Sequence, residues 1–389
     1  MMNTNSVGSF LKKNTMILAI VVVAIFFSVT TQGKILLPQN INNLISQNGY
    51  VFVLASGMLM CILTGGNIDL SVGSVVCFTA GIGAVMMQAG VNIWLSVATM
   101  LVVGLLIGMF QGFWIAWVRV PPFIATLAGM YAFRGLSNVV LGGYSVDAKN
   151  EVFLNTFGGG ANCYIPDLLG GGSLNMTCML LGVVVVALFV ILTLRRIAVQ
   201  KRMGISAGVT SDIVKVVVIS ALVLWLSWKL ASHKGIPTVL IWIALVLGAT
   251  GYITTKTAMG RHLYAVGGNE KATRLSGVNT NRVFFFAYSC MGLLAGLAGI
   301  LMLARQTNAQ PTYGQGFEMD AIASCFIGGA SAYGGIGRIT GVIIGATLMG
   351  LINQGMSIMG LDANYQSIVK GIVLLAAVMF DVLSKREKR

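Results

Sequence analysis

The sequence predicts an all-α, polytopic membrane protein of about twelve helical segments (ten to twelve), and three observations predict it. Of its 389 residues 56% are hydrophobic and only 9% are charged, against the roughly 25% charged residues of a soluble domain. Glycine accounts for 49 residues, about 13% against a usual ~7%, without a triplet period, as close helix packing in lipid favours. Apolar runs of near membrane-spanning length recur from end to end, which excludes a soluble enzyme.

About 20 apolar residues cross the ~30 Å hydrocarbon core at 1.5 Å rise each. On that criterion the candidate spans are Thr15–Thr31, Tyr50–Leu63, Val72–Met87, Ile93–Val118, Phe123–Leu141, Met176–Leu194, Ile213–Leu230, Pro237–Thr254, Val283–Ala304, Met319–Ile327, Ile339–Met359 and Tyr365–Leu383. Together they would use about 240 residues, which leaves no room for a soluble domain, so residues 1–389 read as one transmembrane domain. The first run is long and no small-residue cleavage site follows it, so it reads as an anchor and not a signal peptide.

Orientation comes from the Lys and Arg of the short loops. With the amino terminus inside, 17 of the 25 basic residues fall on the inner side. Only Lys34, Lys149, Lys234 and Arg305 fall outside, and Arg134, Lys215, Lys229 and Lys370 lie within spans. Both termini are therefore expected in the cytoplasm: a tail over residues 1–14 with Lys12 and Lys13, and a basic tail over 384–389. The net charge of +14 records this topology and not an acidic ligand. Nucleic acid is not expected as a partner.

Three polar stretches interrupt the pattern. Residues 142–175 read as an extracytoplasmic loop punctuated by Gly158–Gly160 and Gly170–Gly172, and 195–212 as a basic cytoplasmic loop. The third, 256–282, is cytoplasmic and carries five of the inner basic residues. In it Gly267-Gly268 reads as a break, Asn269 as an N-cap, Glu270-Lys271-Ala272-Thr273-Arg274-Leu275-Ser276 as a helix of two turns, and Gly277 as its C′ residue. So short a helix is marginal alone. It either rests on lipid headgroups or docks a cytoplasmic partner.

A weak internal repeat places Asp69, in Asn67-Ile68-Asp69-Leu70-Ser71, and Asp320, in Glu318-Met319-Asp320-Ala321, each at the start of an apolar helix. Further along, Arg134-Gly135 and Lys370-Gly371 put a basic residue inside a span. By the topology above one Asp opens its helix from inside and the other from outside, which makes two inverted-topology halves of the kind used in alternating-access transport. Either carboxylate could instead cap its helix. Lys370 lies near a helix start and could snorkel to the outer surface, whereas Arg134 is mid-span and should face protein, paired with carbonyls or a carboxylate. Candidate pathway groups are Asp69, Arg134 and Asp320, with the neutral hydrogen-bonding residues Asn67, Ser71, Thr79, Ser324, Asn353 and Gln354. Each neutral residue could equally tie two helices together.

No chemistry-bearing motif is present. The six cysteines form no CxxC pair and the two histidines, His233 and His262, no cluster, so no metal site is expected. Cys61, Cys77, Cys290 and Cys325 read as core, while Cys163 and Cys178 flank an outside segment where a disulfide could form. There is no GxxxxGK[ST] loop, no GxSxG elbow and no HExxH, hence no catalytic residue and no route to binding ATP. An ion-coupled (proton or sodium) secondary transporter is the alternative class. It would need a titratable relay, and only Asp69, Asp320 and Asp381 could supply one.

The runs Ile68-Asp69-Leu70-Ser71-Val72-Gly73-Ser74, Pro122–Met130 continuing to Phe133-Arg134-Gly135, Tyr264–Asn269 through Ala272, Arg274, Leu275, Ser276 and Gly277, and Asp320-Ala321-Ile322-Ala323 followed by Gly328-Gly329 together resemble one family. It is the membrane permease of bacterial ABC importers for the ribose, xylose and galactose group of monosaccharides. The extra length around Arg195–Thr254 is most similar to the xylose and multiple-monosaccharide permeases. The resemblance implies an inner-membrane importer subunit that works as a homodimer, receives sugar from an extracytoplasmic binding protein, and is driven by a cytoplasmic ATPase of two fused cassettes that binds ATP-Mg. It also implies that Asn269–Ser276 is the coupling helix, with Gly267, Gly268 and Gly277 setting its geometry and Glu270, Lys271, Arg274 and Leu275 offering contacts.

Overall fold

A computed structural model describes residues 15–386 apart from 161, 171, 173 and 203–208. The expected tail 1–14, the centre of the 195–212 loop and the last three residues of the 384–389 tail lie outside the described residues.

All twelve predicted segments are helical, within sixteen α-helices among the described residues. In chain order they are α1 (Thr15–Thr30), α2 (Pro38–Gln47), α3 (Gly49–Leu63), α4 (Val72–Gln88), α5 (Ile93–Phe113), α6 (Pro122–Leu141), α7 (Glu151–Phe157), α8 (Met176–Arg202), α9 (Val209–Ala231), α10 (Val239–Lys256), α11 (Ala258–Gly268), α12 (Glu270–Leu275), α13 (Thr280–Gln306), α14 (Phe317–Ile327), α15 (Ile339–Ile358) and α16 (Ala363–Arg386). Among the described residues six helices are individually long and apolar enough to cross a membrane, and α2 and α3, bent by 41° at Asn48, meet the same criterion together, as a broken span or a re-entrant loop. Not every predicted segment is a full span: α14 has 11 residues, roughly 16 Å at 1.5 Å rise, about half the hydrocarbon thickness.

The core is built on α13, whose apolar residues are buried all round, packed against α5 and α3. Small residues decide how close these helices come. Gly104 and Gly108 of α5 face Gly292 and Gly296 of α13, and a Cβ added at Gly108 would lie 2.9 Å from the Gly292 Cα. The two backbones are therefore in direct contact, the approach that four-residue glycine spacing permits in lipid. Hydrophobic collapse cannot order helices inside a bilayer, so such packing and buried polar contacts must do it. At the opposite extreme α8 and α9 pack mainly on each other and leave most of their apolar surface outward.

Two readings from sequence are corrected, and one left open is resolved. The 142–175 stretch is not a plain loop: it holds the strand Val146–Asp147, paired antiparallel with Asn308–Ala309, and α7, which buries Phe153 and Phe157. Trp242 Nε1 pins α7 by donating to the Thr156 carbonyl at 3.0 Å. The basic 195–212 stretch is helical up to Arg202 because α8 runs through Arg195 and Arg196. Cys163 and Cys178 are both free and buried, and the Cys178 thiol donates instead to the Ser227 carbonyl at 3.4 Å.

Candidate functional site

Two polar regions lie at opposite ends of α13. At its amino-terminal end, α12 is closed as the sequence reads. Asn269 Oδ1 accepts from the Ala272 N–H at 2.9 Å, and Gly277 has φ +86°, the left-handed conformation that favours glycine after a helix. Gly267-Gly268 is not a break, however; α11 runs through both, and the chain turns at Asn269. Gly267 is needed for a close approach, since a Cβ there would run into the Leu63 carbonyl and lie 3.0 Å from the Gly335 Cα.

The helix is held from one side. Thr273 is buried, Glu270 is half-buried, and Lys271, Ala272, Arg274 and Leu275 are exposed, Leu275 by 82%. Glu270 Oε1 accepts from Arg119 Nη1 at 2.7 Å and from Thr280 Oγ1 at 3.1 Å. Behind α12, Tyr264 Oη donates to the Gly337 carbonyl at 2.7 Å, joining α11 to the segment that follows α14. Burial pushes the Tyr264 phenol above its ordinary pKa, so it remains a donor at neutral pH.

At the other end of α13, Asp320 is fully buried. It sits at the fourth residue of α14 and caps nothing, contrary to the capping alternative. Its Oδ2 accepts from Lys370 Nζ at 2.9 Å, Tyr50 Oη at 2.7 Å and Asn353 Nδ2 at 3.4 Å. Lys370 therefore does not snorkel outward; it is drawn in to neutralise a carboxylate that burial would otherwise penalise. Beside this cluster is a cavity of about 400 Å³ bordered by Asn48, Tyr50, Arg305, Asn353, Gln366 and Lys370. The ring of Phe317 stacks on Tyr50 with centroids 3.7 Å apart.

A second carboxylate is also internal to the fold. Asp69 Oδ1 accepts from both the backbone N–H of Ser71 at 2.8 Å and its hydroxyl at 2.6 Å, and Gln111 Nε2 donates to Ser71 Oγ at 2.8 Å. Ser71, not Asp69, occupies the N-cap position of α4. Arg134 pairs with carbonyls as expected, its Nη1 donating to Pro311 and Tyr313 at 3.0 and 2.5 Å.

The remaining candidates are dispersed. Asn67 Nδ2 donates to Thr64 Oγ1, Thr79 Oγ1 to the Val75 carbonyl and Ser324 Oγ to the Asp320 carbonyl. Gln354 is buried, with its Oε1 lacking a partner. Of the predicted residues, then, the structure joins Asp69 with Ser71, and Asp320 with Asn353 and, through its backbone carbonyl, with Ser324. Sequence reading missed Tyr50, Asn48, Gln111 and Gln366. Part of the signal was present, because Gln366 and Lys370, and likewise Asn353 and Ser357, are four residues apart and so share a helix face.

Residues 40–198 and 173–378 match the family described as the permease component of the branched-chain amino acid transport system. The chain is 35% identical over 373 residues to the xylose transport system permease protein XylH of Escherichia coli (strain K12), covering 95% of this chain and 92% of that protein. It is 35% identical over 375 residues to the XylH of Haemophilus influenzae, covering 96% of each. Over 342 residues it is 35% identical to the ribose import permease protein RbsC of Escherichia coli (strain K12), covering 88% of this chain and 85% of that protein. No solved structure matches it.

Proposed function

The chain belongs to the family of permease components of branched-chain amino acid transport systems, and we infer that its own system moves monosaccharides: it is the transmembrane permease subunit of an ABC sugar importer, a multi-pass protein of the inner membrane. The observation that carries this reading is the likeness to xylose and ribose permeases over 95% and 88% of the chain. It is a transport protein and not an enzyme.

Among the finer assignments, that of the coupling helix is the one the geometry supports. α12 is the coupling helix: it is clamped on its inner side through Glu270, turns the buried Thr273 inward and offers Lys271, Arg274 and Leu275 outward. A short, rigidly backed helix with one apolar and two cationic side chains free suits docking into a groove of a cytoplasmic ATPase, which would bind ATP-Mg and carry two fused cassettes. Both termini would then be cytoplasmic. Two copies of the chain would form the pathway, and a binding protein would deliver sugar to the face that carries Arg305. ATP binding in the partner would move α12, and the inverted halves, with Asp69 and Asp320 at corresponding places, would rearrange in alternating access. Arg134 and the polar side chains around both carboxylates are the groups proposed to line or support the route.

Reconstitution tests this reading. Proteoliposomes holding this chain with its ATPase should take up xylose or ribose only when ATP and the binding protein are supplied. Uptake driven by an ion gradient without the ATPase would instead identify a secondary transporter.

A further inference from the structure

The cavity between α2, α3 and the ends of α13, α15 and α16 lies wholly within one chain. Its volume of about 400 Å³ falls within the ~300–1,000 Å³ of small-molecule sites. Amides and hydroxyls dominate its polar lining: Asn48, Asn353, Gln366 and Ser357 face it, with the stacked rings of Tyr50 and Phe317 on one wall. The Asn353 side chain donates to Asn48 Oδ1 at 3.3 Å and to Asp320, yet its own Oδ1 is buried without a hydrogen-bond partner. That acceptor has almost no accessible surface and lies behind the cavity wall, so the polar groups a ligand in the cavity would meet include the Gln366 amide and the exposed Ser357 hydroxyl.

The charges on the walls select among ligands. No Asp or Glu borders the cavity. The carboxylate behind it, Asp320, is fully buried and already bound by Lys370. An amino acid would therefore find no carboxylate for its ammonium group, whereas a sugar presents hydroxyls that can accept from Arg305 and Lys370 and bond to the amides, and C–H faces to the aromatic rings.

We propose that this cavity is a monosaccharide-binding subsite held within a single permease chain. The proposal rests on the reading of the protein as a sugar permease and adds a place where the sugar pauses, beside the Lys370–Asp320 pair.

The test uses the full-length permease in lipid nanodiscs, without ATPase or binding protein, titrated with radiolabelled D-xylose, D-ribose and L-leucine. Saturable binding of a pentose, and not of leucine, is expected. Asn353→Ala should weaken it at least tenfold. Ser357→Trp, made at an exposed position on the cavity rim, should abolish it with an unchanged melting temperature, which guards against a variant that merely unfolds. Saturable binding that survives Ser357→Trp would overturn the location. Binding of leucine as tight as that of the pentoses would overturn the ligand class. Absence of pentose binding to a permease that still imports pentose in the complete system would overturn the subsite while leaving the sugar-importer reading intact. Import of leucine and not pentose by the complete system would overturn that reading itself.

Discussion

Arg119 and Glu270, 151 positions apart in the sequence, are joined by a hydrogen-bonded ion pair of 2.7 Å that connects the end of α5 to the first turn of α12. The same guanidinium donates to Asn281 Oδ1 at 2.6 Å and stands 5.6 Å over the ring of Phe284, both on α13. The chain prepares this position locally. A short π-helical turn, Trp114–Val118, ends α5, and Arg119 itself has φ +64°, so the backbone reverses there and turns the side chain toward α12. Since α5 and α13 touch backbone to backbone, a push on α12 has a stiff pair of helices to act on.

A coupling role for this pair separates from a stabilising one. Both side chains are about 40% exposed, at 41% and 39%, so the pair should contribute no more than ~1 kcal/mol to stability. Arg119→Ala and Glu270→Gln are expected to leave the melting temperature nearly unchanged and ATP hydrolysis by the partner intact, while uptake per ATP falls about tenfold. The charge-swapped double variant should recover part of that loss. Uptake unchanged in both single variants would show that α12 moves without Arg119.

Docking makes a different demand on the same helix. Leu275 is 82% exposed and makes no internal packing, so Leu275→Asp should leave the permease folded and monodisperse. It is expected to remove co-purification with the ATPase, particularly when combined with Arg274→Glu. Retention of the ATPase by that double variant would place the contact elsewhere.

The Lys370–Asp320 pair is the opposite case, with side chains 17% and 0% exposed. Lys370→Met strands a carboxylate whose only other donors are Tyr50 and Asn353, and breaking a buried pair in this way costs about 3–5 kcal/mol. Asp320→Asn combined with Lys370→Met removes both charges and should regain most of that loss. Melting of the two variants in detergent measures the difference; equal melting points would mean that the stranded carboxylate carries no such penalty.

How much of this was legible in sequence follows from what sets each feature. The positions of the twelve segments were readable because length and apolarity are local requirements of the bilayer. The caps Asn269 and Gly277 were readable because capping is decided within four residues. Helix α7 was not: it is short, and its burial of Phe153 and Phe157 against Trp242 depends on a partner 86 residues away from Thr156. The Lys370–Asp320 pair was half legible, since a base inside a span signals a partner, but no local rule says which carboxylate turns toward it. Arg119 gave no signal, because its role is created by a backbone reversal and the distant acceptors Glu270 and Asn281.

Free thiols at Cys163 and Cys178 give a direct check on the outer segment. Both are buried, so native protein should react slowly with maleimide and denatured, unreduced protein quickly at both positions. Failure of the denatured protein to react until a reductant is added would reveal a disulfide after all.

The contact between α5 and α13 gives the sharpest contrast in what a single methyl group can do. At Gly292 an added Cβ would lie 2.6 Å from the Gly108 Cα and N, and the obstacle is main chain that cannot rotate away. At Gly248, in α10, nothing lies within 4 Å of an added Cβ. Overpacking a tight interface costs typically 1–3 kcal/mol, and here the strain falls on the pair that backs the Arg119 contact. Gly292→Ala should therefore lower both the melting temperature and ATP-coupled uptake, and Gly292→Val should prevent folding. Gly248→Ala should change neither property, and if anything should stabilise its helix, because alanine exceeds glycine in helix propensity. If Gly292→Ala melted with the wild type and transported normally, α5 and α13 could not be as close as the structure has them, and the stiff link from α12 into the core would have to run through other helices.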